Sequence, residues 1–521
     1  MSKNFTGLVL AGYQGWFATP ANQNLERWSH WSKRGEPGPG GYTNFELYPD
    51  LSGYEIRDLY QSGYADLPDG GKWLLYDSDR DRVVNLHFQW MKEYGLDGVS
   101  LQRFSDSVKK PKNLKWRNST AVRVRNFSES TGKSFYIMYD ISGHSGDKLV
   151  EDILTDFEEY LKKKLKLLDS PGYARHDDGR PVIAIWGLGF KDRPGSKEEA
   201  ERLIKELRET YGCYVAGGVP YYWREQVNDS KPGWLGVYKL FDMLIPWAVG
   251  RYHRADQVDD HFESIWQPDK EFCDAENMDL QRVIYPGFAW SNLKEHQRMA
   301  PGRALSRHAS ATADAPRNQI PRLAGQFFWR QAYHVARLGT SAFIAMFDEF
   351  DEATAIAKAA KSQAGIPADQ YFLTLDADGT RLSSDFYLRL AGEATKMIKE
   401  KRPIEEVPVS HLNYKVHVNH GYRALLGRDP DPGGLNDYSE FLETGGTMAE
   451  FCQKLVDSDE FKNKRQNLPA RELARALYQG VLQRLPEPEG LNQTITAIEN
   501  GEIVHRAADM LNSPEFFNKF A

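Results

Sequence analysis

The chain has 521 residues, a formal net charge of −7, and an aromatic load that includes 13 Trp and 26 Tyr. That charge argues against nucleic acid as the main partner, and no apolar stretch reaches the ~20 residues of a membrane span. Three cysteines, Cys213, Cys273 and Cys452, are odd in number and far apart, so neither a disulfide framework nor a zinc spacing is present. The opening GLVLAGYQGWF follows one lysine and lacks a small-residue cleavage site. No signal peptide is expected, and the compartment stays open.

Eight short apolar runs share one grammar, each ending in polar or aromatic residues. They span 7–17, 96–104, 134–143, 181–190, 214–223, 243–252, 282–290 and 341–352. Helical patterns separate most of them. RDRVVNLHFQWMKEYG carries Val84, Phe88 and Met91 on one face. DKLVEDILTDFEEYLKKKLKLL runs from acidic to basic, as the helix dipole favours. GSKEEAERLIKELRETYG opens with a capping box, Ser196 and Glu199. Strand and helix alternating in this way predict an α/β fold, a (β/α)8 TIM barrel with long loops. The alternative, an open doubly wound sheet, lacks a glycine-rich phosphate loop after any strand.

Three insertions break the alternation: 18–79, 291–320 and 362–382. Loops of this length are usually functional walls. The second carries Arg298, Arg303, Arg307 and His308, which suit either an acidic polymer or a solvated excursion. Near 399–409 the charged, Pro-containing KEKRPIEEVPV reads as a linker. Residues 1–403 are therefore expected to form the barrel, and 410–521 a small all-α unit. That unit repeats, about 415–462 and 471–517: YRALLGRDPDPGGL at 422–435 matches YQGVLQRLPEPEGL at 478–491, and SDEF matches SPEF. Asp429 and Asp431 resemble part of a calcium loop, but the second copy has Leu485 and Glu487 there, so turn chemistry is expected.

In such a barrel the strand ends line one mouth. They supply Tyr13, Gln14 and Trp16; Gln102 and Arg103; Tyr139 and Asp140; Trp186; Tyr221, Tyr222 and Trp223; Trp247 and Arg251; Trp290 and Asn292. Aromatic faces stack on sugar rings while Arg, Gln and Asp bind hydroxyls, so an oligo- or polysaccharide is the expected ligand. Barrel-top packing explains any single member equally well, and Arg103 suits a structural neutralising role. The last run is uncharged from Ser341 to Phe347, then brings Asp348, Glu349, Asp351 and Glu352. If the chain turns after Phe350, Glu349 and Glu352 converge at about 5–6 Å, close to the roughly 5–5.5 Å of retaining glycosidases. If it stays extended, Asp351 pairs with Glu349 instead. The same acids suit a solvated turn or the start of a helix over 353–360. His144 and Asp147 are too sparse for a catalytic metal, no G-x-S-x-G elbow occurs, and no cofactor is called for.

AGYQGWF, LHFQWMKEYGLDGVSLQRF, IMYDISG, IWGLGF and MFDEFDEATAI resemble bacterial family 71/99-like glycoside hydrolases over roughly residues 5–400. The better-understood relatives are the endo-α-mannosidases and endo-α-mannanases of family 99, which are (β/α)8 barrels. Their Phe-Asn-Glu-Trp-x-Glu-Gly-Thr motif aligns with Phe347–Thr354 (FDEFDEAT), with Asp348, Phe350 and Ala353 as departures. The resemblance implies Glu352 as general acid/base and Glu349 as the group assisting the substrate's own 2-hydroxyl, through a 1,2-anhydro sugar. Residues 415–517 resemble a helical repeat domain of unknown function found on bacterial exported and polysaccharide-related proteins. That likeness implies a protein or surface partner.

Overall fold

The computed structural model describes residues 5–294, 315–406, 411–443 and 448–511, save 34, 40, 41, 68 and 69, together with 513, 515, 516 and 520. Arg298, Arg303, Arg307 and His308 lie outside the described residues. The chain divides into two units: 1–379 with 387–406, and 380–386 with 407–521.

The first unit is a closed barrel of parallel strands. In chain order these are β1 (Leu10–Tyr13), β2 (Gly98–Phe104), β3 (Ser134–Asp140), β4 (Val182–Trp186), β5 (Tyr214–Val219), β6 (Met243–Pro246), β7 (Asp279–Ile284) and β8 (Ser341–Ile344). Each pairs with its sequence neighbours, and β1 closes the ring against β8 through Leu10–Phe343 and Ala11–Ile344. Every run expected to be a strand contains one, although β7 begins at Asp279, ahead of its apolar stretch. Around the barrel lie α1 (Asp81–Glu93), α2 (Pro111–Thr131), α3 (Leu149–Asp156), α4 (Lys197–Lys205), α5 (Ala255–His261), α6 (Gln267–Ala275) and α7 (Gln326–Leu338). The capping box forms: Ser196 Oγ accepts from the Glu199 N–H while Glu199 accepts from the Ser196 N–H. Helix α2 begins with Pro111 and stops at Gly132, whose φ of 68° is the left-handed stop glycine allows.

Alternation along each strand sends one set of side chains into the lumen and the other against the helices. Gln102 and Met138 face inward as neighbours, the Gln102 amide donating to Met138 Sδ at 3.3 Å. Trp186, Trp247 and Phe343 fill the lumen's upper layer in sequence, with centroids 5.4 and 6.0 Å apart. Strand β8 leaves the barrel very close to β1. The Phe347 N–H donates to the Gly12 carbonyl at 2.7 Å. A Cβ on Gly12 would lie 2.2 Å from Met346 Cε and 2.9 Å from Phe343 Cζ, so glycine leaves room for those two side chains.

The second unit is helical, with elements at His411–Leu425, Pro432–Glu443, Met448–Val456, Asp459–Lys464, Ala470–Leu477, Pro488–Glu499 and Ile503–Leu511. They bury a common core that includes Val418, Phe451, Leu477, Val481, Ala507 and Leu511. Both copies use one device. Arg428 covers Tyr422 at 5.2 Å and binds Glu460; Arg484 covers Tyr478 at 5.1 Å and binds Glu515. Ser458 and Ser513 cap the returning turns by accepting from Phe461 and Phe516 N–H. Asp431 accepts the Gly434 N–H at 2.9 Å and Asp429 binds Arg423, which is turn chemistry.

Candidate active site

The chain does turn after Phe350, but no helix follows. Residues 350–353 form the turn, with Ala353 at φ 52°, a left-handed conformation that glycine adopts without strain. The segment then runs back along itself: the Met346 N–H donates to Thr354 O, Ile356 N–H to Met346 O, and Ala357 N–H to Phe347 O. The Glu349 carbonyl accepts from both Thr354 and Ala355 N–H. The result is a narrow hairpin-like loop with its acids at the tip.

Almost every residue of that tip is fastened by another element. Asp348 accepts the Gln14 and Gly15 N–H groups at 2.7 and 2.9 Å, tying the loop to the end of β1. The Phe350 ring is fully buried against Phe17, Trp31 and Tyr76, and its carbonyl accepts from Glu46 and Leu47 N–H. Asp351 hydrogen-bonds His30 Nδ1 at 2.7 Å. The Glu352 carbonyl accepts from Ala289 N–H, and Arg322 donates to the carbonyls of Ala353 and Ala355 at 2.8 Å. Much of this support comes from the 18–79 insertion, so that insertion is a wall of the site. The wall is itself locked: buried Glu46 accepts from Ser291 Oγ and Asn292 N–H.

Glu349 is left with little hydration, and Glu352 is half-buried. Burial pushes Glu349 well above the usual carboxylate range, and the charge of Glu352 is the next cause, followed by Asp351 and Asp348. A hydrogen bond from Gln14 opposes this, and the Thr354 hydroxyl donates to Glu349 Oε2 at 3.4 Å. Burial, helped by Asp351, raises Glu352 to about 7, against the pull of Lys294 and Arg193. The charge of Glu352 therefore reaches Glu349. Asp351, the rival partner of Glu349 in an extended chain, is bound to His30 instead.

Of the other expected site residues, Gln102 faces inward beside Met138, and Trp186 and Trp247 pack together in the lumen. Arg193 covers the Trp186 ring at 5.3 Å, and its charge reaches both Asp140 and Glu352. Lys294 covers the Trp290 ring at 3.9 Å and also acts on Glu352. Trp16 Nε1, Trp186 Nε1 and Gln14 Oε1 are buried without a hydrogen-bond partner.

Five residues of the expected mouth set require correction, because strand alternation or loop folding turns them outward. Tyr13 reaches α1, where its hydroxyl meets His87 Nδ1 at 2.9 Å. Arg103 and Tyr139 are register neighbours that both bind Asp156 on α3, Arg103 through two bonds of 2.6 Å and Tyr139 through one of 2.7 Å. The structural role weighed for Arg103 is the one it has. Tyr221 bonds His261 on α5 and receives the Trp266 indole N–H. Trp223 is likewise outside, against Phe272 of α6. Arg251 is committed to Asp229, which also accepts the N–H groups of Tyr221 and Tyr222. Asn292 spends its amide on the carbonyls of Phe45 and Tyr371.

His30, Glu46, Arg117, Arg193, Lys294 and Arg322 were not singled out from sequence. Only the reading of the insertions as functional walls pointed toward His30 and Glu46. Arg117 lies over Phe104, and burial lowers it to about 10 while Asp348 and Asp140 oppose that. His144 bonds Asp152 and the Gly146 N–H. Among the described residues no three His, Cys, Asp or Glu side chains gather as a metal site, and no helix is long and apolar enough to cross a membrane.

The fold is shared with known enzymes. The chain is similar to the GH99 endo-alpha-mannosidase of Bacteroides thetaiotaomicron, at 15% identity and a TM-score of 0.50, over 76% of this chain and 98% of that one. The same enzyme with bis-tris-propane matches at 14% identity, the same coverage and a TM-score of 0.50. A structure described as a glycoside hydrolase-like protein follows at 13% identity, covering 68% of this chain and 95% of its own, with a TM-score of 0.41. Residues 409–465 and 452–520 match the family described as Domain of unknown function (DUF4214). No curated protein matches this chain.

Proposed function

We propose that this (β/α)8 barrel, which has the fold of glycoside hydrolases, is a retaining glycosidase that cuts within an α-linked polysaccharide of the α-mannan type. The observation that carries the reading is the tip of the loop after β8. Buried Glu349 and half-buried Glu352 sit there: the charge of Glu352 raises the proton affinity of Glu349, and Glu352 itself, raised to about 7 by desolvation and by Asp351, holds a proton near neutral pH. That is the condition of a general acid facing a leaving oxygen.

In this reading the Glu352 carboxyl gives its proton to the glycosidic oxygen as the C1–O bond breaks. The substrate's 2-hydroxyl attacks C1 and passes its own proton to Glu349, closing a 1,2-anhydro sugar. Glu352, now a carboxylate, takes a proton from water as the water opens that ring at C1, and Glu349 returns its proton to O2. Two inversions leave the configuration retained. Burial works against the anionic form of Glu349, but Gln14, Thr354 and the incoming 2-hydroxyl all donate to it, which favours that form. Trp186, Trp247 and Trp290 supply faces for sugar rings, and Asp140 and Gln102 supply hydroxyl partners.

The test is a panel of α-linked glycans incubated with wild type and Glu352→Gln. Oligosaccharides released by the wild type, with loss of about 10²–10⁴ in the variant, are expected. Binding without release would favour a polysaccharide-binding role on the same scaffold. We take residues 1–403 as the catalytic domain and 410–521 as a module for a protein or surface partner. A chain ending at 403 should keep its turnover on soluble glycan and lose attachment.

A further inference from the structure

The acid next to the catalytic pair is held in an unusual way. His30 stacks on Trp16 with centroids 3.8 Å apart and planes within 6°. Trp16 in turn stacks on Phe104 at 5.4 Å, and Arg117 also lies over the Phe104 ring. This column of rings fixes the His30 imidazole in both position and tilt, with Nδ1 2.7 Å from Asp351 Oδ2. Asp351 Oδ1 is buried and has no partner, so His30 is the hydrogen-bonding group that Asp351 has.

Burial, then the charges of Arg117 and Lys33, hold His30 well below its usual titration range, so the ring is neutral. A neutral N–H stabilises a carboxylate without cancelling its charge, unlike the Arg and Lys partners that acids elsewhere in the chain have. Burial alone pushes Asp351 toward its protonated form, opposed by Lys33. The groups that act on Glu352 are Asp351, Lys294 and Arg193, and Glu352 itself acts on Glu349; among them, Asp351 is the one that raises Glu352 beyond what burial does.

We propose that His30 is a positioning residue: stacked on Trp16 and bonded through Nδ1, it fixes the Asp351 carboxyl beside Glu352, and so sets how readily Glu352 delivers a proton to the leaving oxygen. The inference rests on the hydrolase reading for its role in turnover, but not for the linkage between the three residues. It also gives a reason why the first-loop wall is built around aromatic stacking at this point. The ring must stay in place.

Two measurements on the full chain test it. The first follows kcat and KM against pH on a soluble α-mannan for wild type, His30→Phe, Asp351→Asn and the double variant. Phenylalanine keeps the ring on Trp16 but cannot donate. Each single variant should move the high-pH limb of kcat downward by about one pH unit or more, with KM little changed, and the double variant should move it no further. The second follows protonated-carboxyl bands by infrared titration without substrate, the Glu352 band being identified by its loss in Glu352→Gln. That band should lose its proton at lower pH in both single variants. A Glu352 band and kcat limb that stay put in His30→Phe, or shifts that add in the double variant, overturn the proposal. Should His30→Phe not fold, an unmoved Glu352 band in Asp351→Asn overturns it alone. If the wild type cleaves nothing, the hydrolase reading fails while the infrared result still decides the linkage.

Discussion

The loop tip at 348–352 and the paired turns of the helical unit are both rich in acids, and they treat them in opposite ways. Glu460 sits near the surface with Arg428 and Lys464 on it, and those bonds lower it to about 2. Its counterpart Glu515 is held by Arg484 in the same fashion. At the barrel mouth Asp348, Glu349 and Asp351 are buried and Glu352 half-buried, the nearest donors are backbone N–H groups, a histidine and an amide, and every one of the four titrates high. An acid paired with a cation on the surface fastens a turn. An acid stripped of water and faced with another acid stores a proton, which is what acid–base chemistry uses.

The largest expected difference between the two regions is therefore in turnover. Glu349→Gln should lower kcat by about 10²–10⁴, the usual share of a positioned acid or base. Glu460→Gln should leave kcat alone, since its partners serve only the helical repeat. Equal losses in both, measured on the same glycan, would erase the functional side of the contrast.

Next comes the anchoring of the tip. Phe350 is fully buried among Phe17, Trp31 and Tyr76. Phe350→Ala should cost about 3–5 kcal/mol of stability, as large-to-small changes of buried aromatics do, and denaturant unfolding reads it directly. The same deletion should lower kcat well beyond what instability explains, because the tip loses the anchor that aims both glutamates. A variant that unfolds early but turns over normally at low temperature would show that the backbone bonds from Glu46, Leu47 and Arg322 suffice.

The barrel was legible because buried parallel strands write uninterrupted apolar runs, and each of the eight contains its strand. The helical repeat was legible because Tyr422 and Tyr478 recur with their turns. Side-chain direction at strand ends was not legible. Tyr13, Arg103, Tyr139 and Tyr221 look like a sugar-binding set in sequence, yet each points to an outer helix partner that lies 40 to 74 residues away, or 17 to 53 in the case of Arg103 and Tyr139. Nor does any pattern in the sequence say that His30 or Arg322 meets the β8 loop, since both sit in irregular segments whose path is set by tertiary contacts. The turn itself was half legible: its acids announced it, but the alanine-rich stretch after it suggested a helix. Met346 and Phe347 took those backbone groups for the returning strand instead.

A smaller effect separates the two regions by pH. Glu352 is raised to about 7, above its unfolded value, so between about pH 4.5 and 7 the folded chain holds a proton that the unfolded chain has lost. Its contribution to stability is therefore full at low pH and declines as pH rises through that window. Glu352→Gln removes the decline and should raise Tm by about 1–3 °C at pH 8, with no gain at pH 4.5. Glu460 has the opposite sign. Its lowered value gives stability that is present at neutral pH and lost as pH falls from about 4.5 toward about 2. Glu460→Gln should thus weaken the helical unit at pH 7, by about 1 kcal/mol at most for a pair this near the surface. Two substitutions of the same kind moving stability in opposite directions at neutral pH is the sharpest form of the comparison.

The smallest effect lies at Ala353. Its φ of 52° places a Cβ in the left-handed region, which costs a non-glycine residue about 1–2 kcal/mol. Ala353→Gly relieves that strain but widens the unfolded ensemble, a loss of about 0.4–1 kcal/mol. The net gain should be no more than about 1.6 kcal/mol, with kcat unchanged because the carbonyl of 353 still accepts from Arg322. A clear loss of stability would mean that the buried Ala353 methyl packs well enough to outweigh the strain. The tip would then be held by side-chain packing at that position, and backbone geometry would be secondary.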